Sequence, residues 1–573
     1  MTTREHIPAA QWRHRVVLVG IGLVGIGLAC RALYIQVIDN DFLQDQGEAR
    51  YLRTIEISAH RGAILDRNGE ILAASTPVAS VWVDPVTMTK DNVTLVELAK
   101  LIDRPVPDIR KAIASAPKGK RFLYLKQHME PARGQAVKRL IKDSKLAGIG
   151  VRREYRRFYP AGEVTAHVLG LTNIDGVGTE GIEKAHEASL LGRPGKETLI
   201  KDLHGRYVAD VEQISSPQPG KDLALSIDRR LQYLAYRELK RAVQDHGAKA
   251  GSLVLLDART GEVLAMVNQP SYNPNNRADL THEQLRNRAV TDMFEPGSTV
   301  KPFIIAAGLT NGKFRPDTRI ETGNGRIKVG NRTITDHEVL GRTDVRQVLQ
   351  KSSNVGTVLI ARGLPREQVW QTFRNVGLGS STHSSFPGET RGKLPPLNGL
   401  SQVDYEALSY GYGLSVSTLQ LAQAYTVFAN EGMLKPISFS RIDEVPVGKR
   451  VMSAEVVRTM LPMLEGVVSA KGTAIKASVP GYRVGGKTGT ARKFSPTAGY
   501  ALDSHVSLFA GIAPLGDPRL VAVVMIDEPS GAEYFGGQIA APVFSRVMAS
   551  ALRVLNIAPD AVSSPPLRVA ATQ

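Results

Sequence analysis

The most uniform stretch of the chain comes early. Residues 16–30 are apolar or glycine without a break, and after Arg31 the run resumes through Ala32, Leu33, Tyr34 and Ile35. Together these reach the roughly 20 residues with which a helix spans a bilayer. Arg4, Arg13 and Arg15 precede the run, whereas Asp39, Asp41, Asp45 and Glu48 come after it. Cations favour the cytoplasmic side, so residues 1–15 are expected inside, 16–37 across the membrane, and the bulk of the chain outside. Arg31 lies near the outer end, where its long stem reaches the headgroups. With no clean small-x-small cleavage site after it, the span reads as an uncleaved signal anchor. A buried core helix is the alternative, and the flanking charges disfavour it.

Beyond the anchor, residues up to about 220 mix short β-like stretches with polar helices. Residues 58–70 read as a strand ending in an Asn68-Gly69 hairpin turn. Residues 156–160 and 178–183 are turn-rich, and Pro217-Gln218-Pro219-Gly220 reads as a linker. Residues 223–227 then predict a strand and 230–243 an amphipathic helix. Two apolar runs, 252–257 and 262–267, flank Ala258-Arg259-Thr260-Gly261 as a hairpin. Residues 506–512 and 520–526 repeat the pattern across 514–518, residues 541–554 predict a last helix, and the Pro/Ser-rich stretch 558–573 predicts a flexible tail. Strands at both ends of the region after 220, with helices between, predict an α+β domain.

A chain of 573 residues has room for two or three domains, and 42% hydrophobic with 22% charged residues is an ordinary folded composition. The net charge of +17 would suit nucleic acid, an anionic membrane surface or an acidic polymer. No nucleic-acid-binding signature is present and no Lys/Arg block interleaves with aromatics, so nucleic acid is not an expected partner. Cys30 is the sole cysteine, which rules out an intrachain disulfide. The histidines lack metal-ligand spacing, and neither a metal nor a cofactor is expected.

Two motifs mislead. Gly20-Ile21-Gly22-Leu23-Val24-Gly25 matches a dinucleotide fingerprint but lies inside the apolar span, with no strand ahead of it. Gly481-Tyr482-Arg483-Val484-Gly485-Gly486-Lys487-Thr488 matches a P-loop. A P-loop must open a helix, yet Gly489 and Pro496 make residues 489–496 a poor helix start.

The segment that carries chemistry is Phe294-Glu295-Pro296-Gly297-Ser298-Thr299-Val300-Lys301-Pro302-Phe303. Pro and Gly ahead of Ser298, with apolar residues 304–309 after it, mark a helix start. Ser298 and Lys301 then fall one turn apart on one face. Serine is a poor nucleophile without a base, and a lysine buried among apolar groups loses its charge readily enough to serve as one. Pro302 cannot donate to the carbonyl of Ser298, so an irregular first turn is expected. Taken alone, this spacing is equally that of an ordinary helix start. Two further pieces come in order along the chain. Lys351-Ser352-Ser353-Asn354 breaks the helical patterns 345–350 and 355–361, and Lys487-Thr488-Gly489-Thr490 follows a candidate strand. SxxK, an SDN-type motif and KTG form the set of penicillin-binding proteins and β-lactamases.

With these residues the chain resembles the class B penicillin-binding proteins, the division-type septal peptidoglycan transpeptidases of Gram-negative bacteria. The likeness extends to Arg61-Gly62, Asp66-Arg67-Asn68-Gly69, Tyr410-Gly411-Tyr412-Gly413, the stretch 487–492 and Tyr534-Phe535-Gly536-Gly537. The resemblance implies a penicillin-binding-protein/β-lactamase-like transpeptidase domain at 221–557, on an elongated, β-rich, non-catalytic pedestal at 38–220. It implies Ser298 as nucleophile, Lys301 as base, Ser352 as proton relay and Asn354 as binder of a substrate amide that also orients Lys301. It further implies Lys487 as the source of positive potential, and Thr488, Gly489 and Thr490 as the strand that takes the substrate carboxylate. The backbone amides of Ser298 and Thr490 would form the oxyanion hole. Tyr410 and Tyr412 either line the cleft or belong to the core. Pentapeptide stems of peptidoglycan and β-lactams are the implied ligands. A membrane glycosyltransferase and division-complex proteins are the implied partners, and the inner membrane with a periplasmic catalytic domain the implied location. In one respect the chain departs from close relatives: His505-Val506 stands where an aromatic often precedes Ser507-Leu508-Phe509-Ala510-Gly511.

Rival readings share the three motifs. In a D,D-carboxypeptidase or β-lactamase water replaces the acceptor amine, and the pedestal and anchor argue against the latter. A penicillin sensor or division scaffold would keep the motifs without turnover, but would be expected to carry several membrane spans.

Overall fold

A computed structural model describes residues 11–41, 52–88, 92–144, 148–201, 207–278, 280–495, 499–531 and 533–561. Arg4, Asp45 and Glu48 of the anchor's flanks, and the tail beyond 561, lie outside the described residues. The chain divides into two compact units, the first made of Met1–His60, Pro77–Tyr155 and Gly192–Pro219, the second of Arg61–Thr76, Arg156–Leu191 and Gly220–Gln573.

In the first unit the apolar run forms the helix Gln11–Leu33, which widens into a π-helical turn at Tyr34–Ile38. The helix begins ahead of residue 16 because backbone hydrogen bonding does not stop where polarity changes. Its Trp12–Ile38 span has a mean hydropathy of 2.3, is long and apolar enough to cross a membrane, and buries none of its apolar window in protein. The Arg31 guanidinium sits 5.2 Å over the ring of Tyr34, so its stem follows the helix toward its C-terminal end. The rest of this unit holds an antiparallel sheet of Leu52–Ile57, Gly195–Lys201 and Tyr207–Ser215. A separate small core joins Leu95, Leu98 and Ile102 of the helix Asn92–Ile102 to Val81, Val83, Ile109 and Val137.

The second unit is built on an antiparallel five-stranded sheet in the order Val263–Gln269, Ala250–Asp257, Leu520–Asp527, Gly499–Ala513, Gly485–Ser495. Every residue of Ala250–Asp257 is buried, the mark of a strand covered on both faces. Successive side chains show which helices cover it. A Cβ on Gly251 would meet Leu239 and Val243 of the helix Arg229–Asp245, whereas the hydroxyl of Ser252 lies 2.7 Å from that of Thr418 on the helix Thr418–Ala429. The last helix, Gly536–Val554, packs on the same sheet and starts five residues before the expected 541, running through Pro542.

Other local expectations shift. Of residues 58–70 only Ile64–Leu65 is strand, paired to the long strand Ile71–Val83. The turn between them is held by Asp66, whose Oδ1 accepts from the amides of Asn68 at 2.7 Å and Glu70 at 2.9 Å. Arg156 to Phe158 close the strand Ile149–Phe158 instead of forming a turn, and residues 181–185 form the short helix Gly181–Ala185. Both segments are fixed by long-range ion pairs that no local pattern reveals. Glu183 is fully buried and accepts from Arg61 Nε at 2.8 Å and Arg157 Nε at 2.6 Å.

Candidate active site

Residues 294–303 do not open a regular helix. Gly297–Val300 is a 3₁₀ turn that passes into the buried helix Lys301–Asn311, and the amide of Lys301 donates to the carbonyl of Ser298. This is the irregular start that Pro302 demands. The turn is fixed from both sides. Phe294 exchanges backbone hydrogen bonds with Val416 at 2.9 and 3.0 Å, the amide of Gly297 donates to the carbonyl of Gly411, and the Tyr425 hydroxyl donates to the carbonyl of Thr299 at 2.7 Å. Gly411 is required here: its φ is +90°, and a Cβ would lie 2.0 Å from the carbonyl of Gly297.

Lys301 is fully buried, and its ammonium donates to the Ser352 carbonyl at 2.6 Å, to Asn354 Oδ1 at 2.7 Å and to Ser352 Oγ at 3.3 Å. Burial pushes its pKa down to about 7, against an opposing pull from the charge of Asp336. Lys487, also fully buried, donates to Ser352 Oγ at 2.8 Å, and burial together with the charge of Lys301 holds its pKa well below the usual lysine value. One hydroxyl thus bridges two amines, neither of which bears its charge comfortably.

Ser352 occupies the left-handed region at φ +59°, the last residue before the cap of the helix Asn354–Arg362. Asp336 holds this turn. Its Oδ1 accepts from the amides of Asn354 at 2.5 Å and Val355 at 3.0 Å, and its Oδ2 from the Ser353 hydroxyl at 2.6 Å. The Asn354 Nδ2 donates to the Thr335 carbonyl at 3.2 Å, which leaves Oδ1 turned toward Lys301.

Lys487 to Thr490, expected to follow a strand, lie within the strand Gly485–Ser495. A strand continues where a P-loop would need a helix. Alternation brings Thr488, Thr490 and Arg492 to one face, and all three line a cleft of about 620 Å³. Gly489 sits between them because a Cβ there would fall 2.8 Å from Thr299 and 3.0 Å from the Pro296 carbonyl. The Thr488 hydroxyl lies 2.9 Å from that of Thr473, and the Thr490 hydroxyl accepts from the amide of Gly536 at 3.1 Å.

The same cleft is lined by Ser298, Ser352, Asn354, Tyr410 and Tyr412. The two tyrosines are half-buried with rings 5.5 Å apart, at the cleft wall and not in the core. Among the described residues the hydrogen-bonded network runs through Lys301, Ser352, Asn354 and Lys487, and the Ser298 hydroxyl is not part of it. Tyr534 and Phe535, part of the Tyr534–Gly537 stretch of the resemblance, border this site, and Asp336, His337, Lys471 and Thr473 join or border it without any motif in the sequence to mark them. Among the described residues no group of three or more His, Cys, Asp or Glu is placed to hold a metal.

Comparison with known proteins agrees with this geometry. Residues 251–549 match the penicillin binding protein transpeptidase domain, and residues 56–225 the penicillin-binding protein dimerisation domain. Peptidoglycan D,D-transpeptidase FtsI of Escherichia coli is 40% identical over 98% of this chain and 95% of its own length. The probable peptidoglycan D,D-transpeptidase PenA of Neisseria meningitidis is 41% identical over 95% and 93%. Among solved structures, penicillin binding protein 3 of Mycobacterium, complexed with aztreonam, aligns with a TM-score of 0.68 at 28% identity over 88% of this chain and 98% of that one. Matches to both domains and likeness over nearly the whole length place the chain in the penicillin-binding-protein transpeptidase family, as a class B penicillin-binding protein of the division type.

Proposed function

We propose that the chain is a monofunctional, serine-type peptidoglycan D,D-transpeptidase of septal wall synthesis. Neutral Lys301 takes the proton of Ser298, whose Oγ attacks the carbonyl of the penultimate D-Ala of a pentapeptide stem. The amides of Ser298 and Thr490 receive the oxyanion; losing one such donor typically costs about 10²–10³ in rate. Ser352, bridged between the two lysines, hands a proton to the leaving D-Ala amine. Asn354 holds a substrate amide, Lys487 with the hydroxyls of Thr488 and Thr490 holds the terminal carboxylate, Gly489 lets the ligand close on the strand, and Tyr410 and Tyr412 form the opposite wall. The amine of a second stem then attacks the acyl-serine and completes the cross-link. Water in its place gives D,D-carboxypeptidase side activity. β-Lactams acylate the same hydroxyl and leave slowly.

The reading rests on one observation: three segments distant in sequence meet in one cleft, with Ser352 Oγ within hydrogen-bond reach of both buried lysines. The basic residues 4, 13 and 15 support a cytoplasmic N-terminus, which leaves the residues after 37 in the periplasm as pedestal (38–220) and transpeptidase domain (221–557) on a single-pass inner-membrane anchor. Glycan polymerisation then falls to a membrane glycosyltransferase working with this chain in a division complex. Fluorescent penicillin labelling of the wild type against Ser298→Ala tests the assignment. Label should vanish in the variant, and label that persists would place the nucleophile elsewhere. Muropeptide analysis with an added acceptor stem separates cross-linking from trimming.

A further inference from the structure

The strand that carries Thr488 and Thr490 presents one more residue to the cleft, Arg492, and its directly paired neighbour on the next strand is His505. Paired positions of an antiparallel ladder share a face, with Cβ atoms about 5 Å apart. The His505 ring lies flat on Tyr534, with centroids 4.2 Å apart and planes 19° apart; Tyr534 contacts Phe535, and Phe535 in turn meets His337. Arg492 is exposed and makes no ion pair among the described residues. A peptide whose carboxylate sits at Thr488 and Thr490, running antiparallel to this strand, brings its earlier residues toward Arg492 at about 3.3 Å per residue. The residue ahead of the D-Ala pair therefore reaches the Arg492–His505 pair.

We propose that His505 is a specificity-determining residue for the group on the donor that precedes the D-Ala pair. Neutral, it extends the flat aromatic surface of Tyr534. Protonated, it stands beside Arg492 as a second cation and favours a carboxylate at that place, as a stem-peptide residue with a free acidic group would supply. The inference rests on the transpeptidase reading of the cleft. The surroundings of His505 set the range. Burial and the Arg492 charge lower its pKa from the ordinary histidine value, while Asp503 on its own strand opposes them. Glu528, whose amide donates to the His505 carbonyl, has its carboxylate engaged by Lys493, and Tyr534 faces the ring.

The test compares second-order acylation rates of the full-length protein by benzylpenicillin and by its α-carboxy analogue, between pH 5 and 8. The ratio of the two cancels the pH dependence of the shared acylation chemistry. The carboxylated compound should gain about two- to fivefold relative to the neutral one as pH falls, the range of exposed charge pairs. In His505→Phe the ratio should be flat, and in His337→Gln it should still rise. A flat ratio in the wild type overturns the proposal, as does a rise that survives His505→Phe. Failure of both compounds to acylate would instead sink the transpeptidase reading itself.

Discussion

Lys301 and Lys487 are buried amines without a carboxylate in direct contact among the described residues, and at residue scale that defines the site. Burial brings the Lys301 pKa down to about 7, so the neutral amine proposed to accept the Ser298 proton is scarce below that value and abundant above it. Acylation by a penicillin should therefore rise with pH through about 7 and level off above, as stopped-flow measurement of acyl-enzyme formation would show. Lys301→Arg, which keeps charge but cannot deprotonate, should abolish acylation across the range. Both lysines, Ser298, Ser352 and Asn354 were legible in the sequence because each belongs to a short motif whose spacing has a mechanical meaning. Thr473 was not. Its partner Thr488 lies 15 residues away, and a hydroxyl pair of that kind leaves no periodic trace.

At the scale of elements, the turn at Ser352 is bent into a conformation that a serine adopts only when its surroundings hold it. Asp336 does so from a separate segment, 18 residues before Asn354. Asp336→Ala removes the acceptor of two amides and a hydroxyl, each costing about 1–3 kcal/mol when left buried and unmet. The expected result is a penicillin acylation rate at least about tenfold lower, with a reduced melting temperature; an unchanged rate would separate the cap from the chemistry. The helix patterns 345–350 and 355–361 were readable to within a residue, since apolar periodicity dictates them. The cap was not, because an aspartate in a loop gives no sign of which helix it will meet. The early start of Gly536–Val554 was missed for a related reason: a proline that locally reads as a first-turn residue is tolerated deeper within a packed helix.

Across the whole molecule, Glu183 ties Arg61 to Arg157 inside the unit that also holds the cleft. This arrangement ties 61–76 to 156–191 within that unit, which also holds the residues from Gly220 on. Glu183→Gln leaves buried Arg157 short of its counter-charge, while Arg61 keeps Glu187 at 2.7 Å, and should cost about 3–5 kcal/mol, read as a lower melting temperature with labelling by penicillin retained below it. Acid should weaken the same unit. Burial lowers the pKa of His167 to about 4, so from about pH 6.5 down to 4 the unfolded chain takes up this proton first and stability falls as pH falls. His167→Gln should remove up to about 3 kcal/mol of the loss between pH 7.5 and 4.5, measured as the difference in melting temperature. Among the described residues the five-stranded sheet also stops at Gly485–Ser495, which has a strand neighbour on one side alone. Amide and carbonyl groups along that margin are an unfinished ladder, which a peptide guest is expected to complete with an extended backbone before its side chains are compared. Replacing a guest amide by an ester at a rung should therefore weaken docking for every side-chain composition alike.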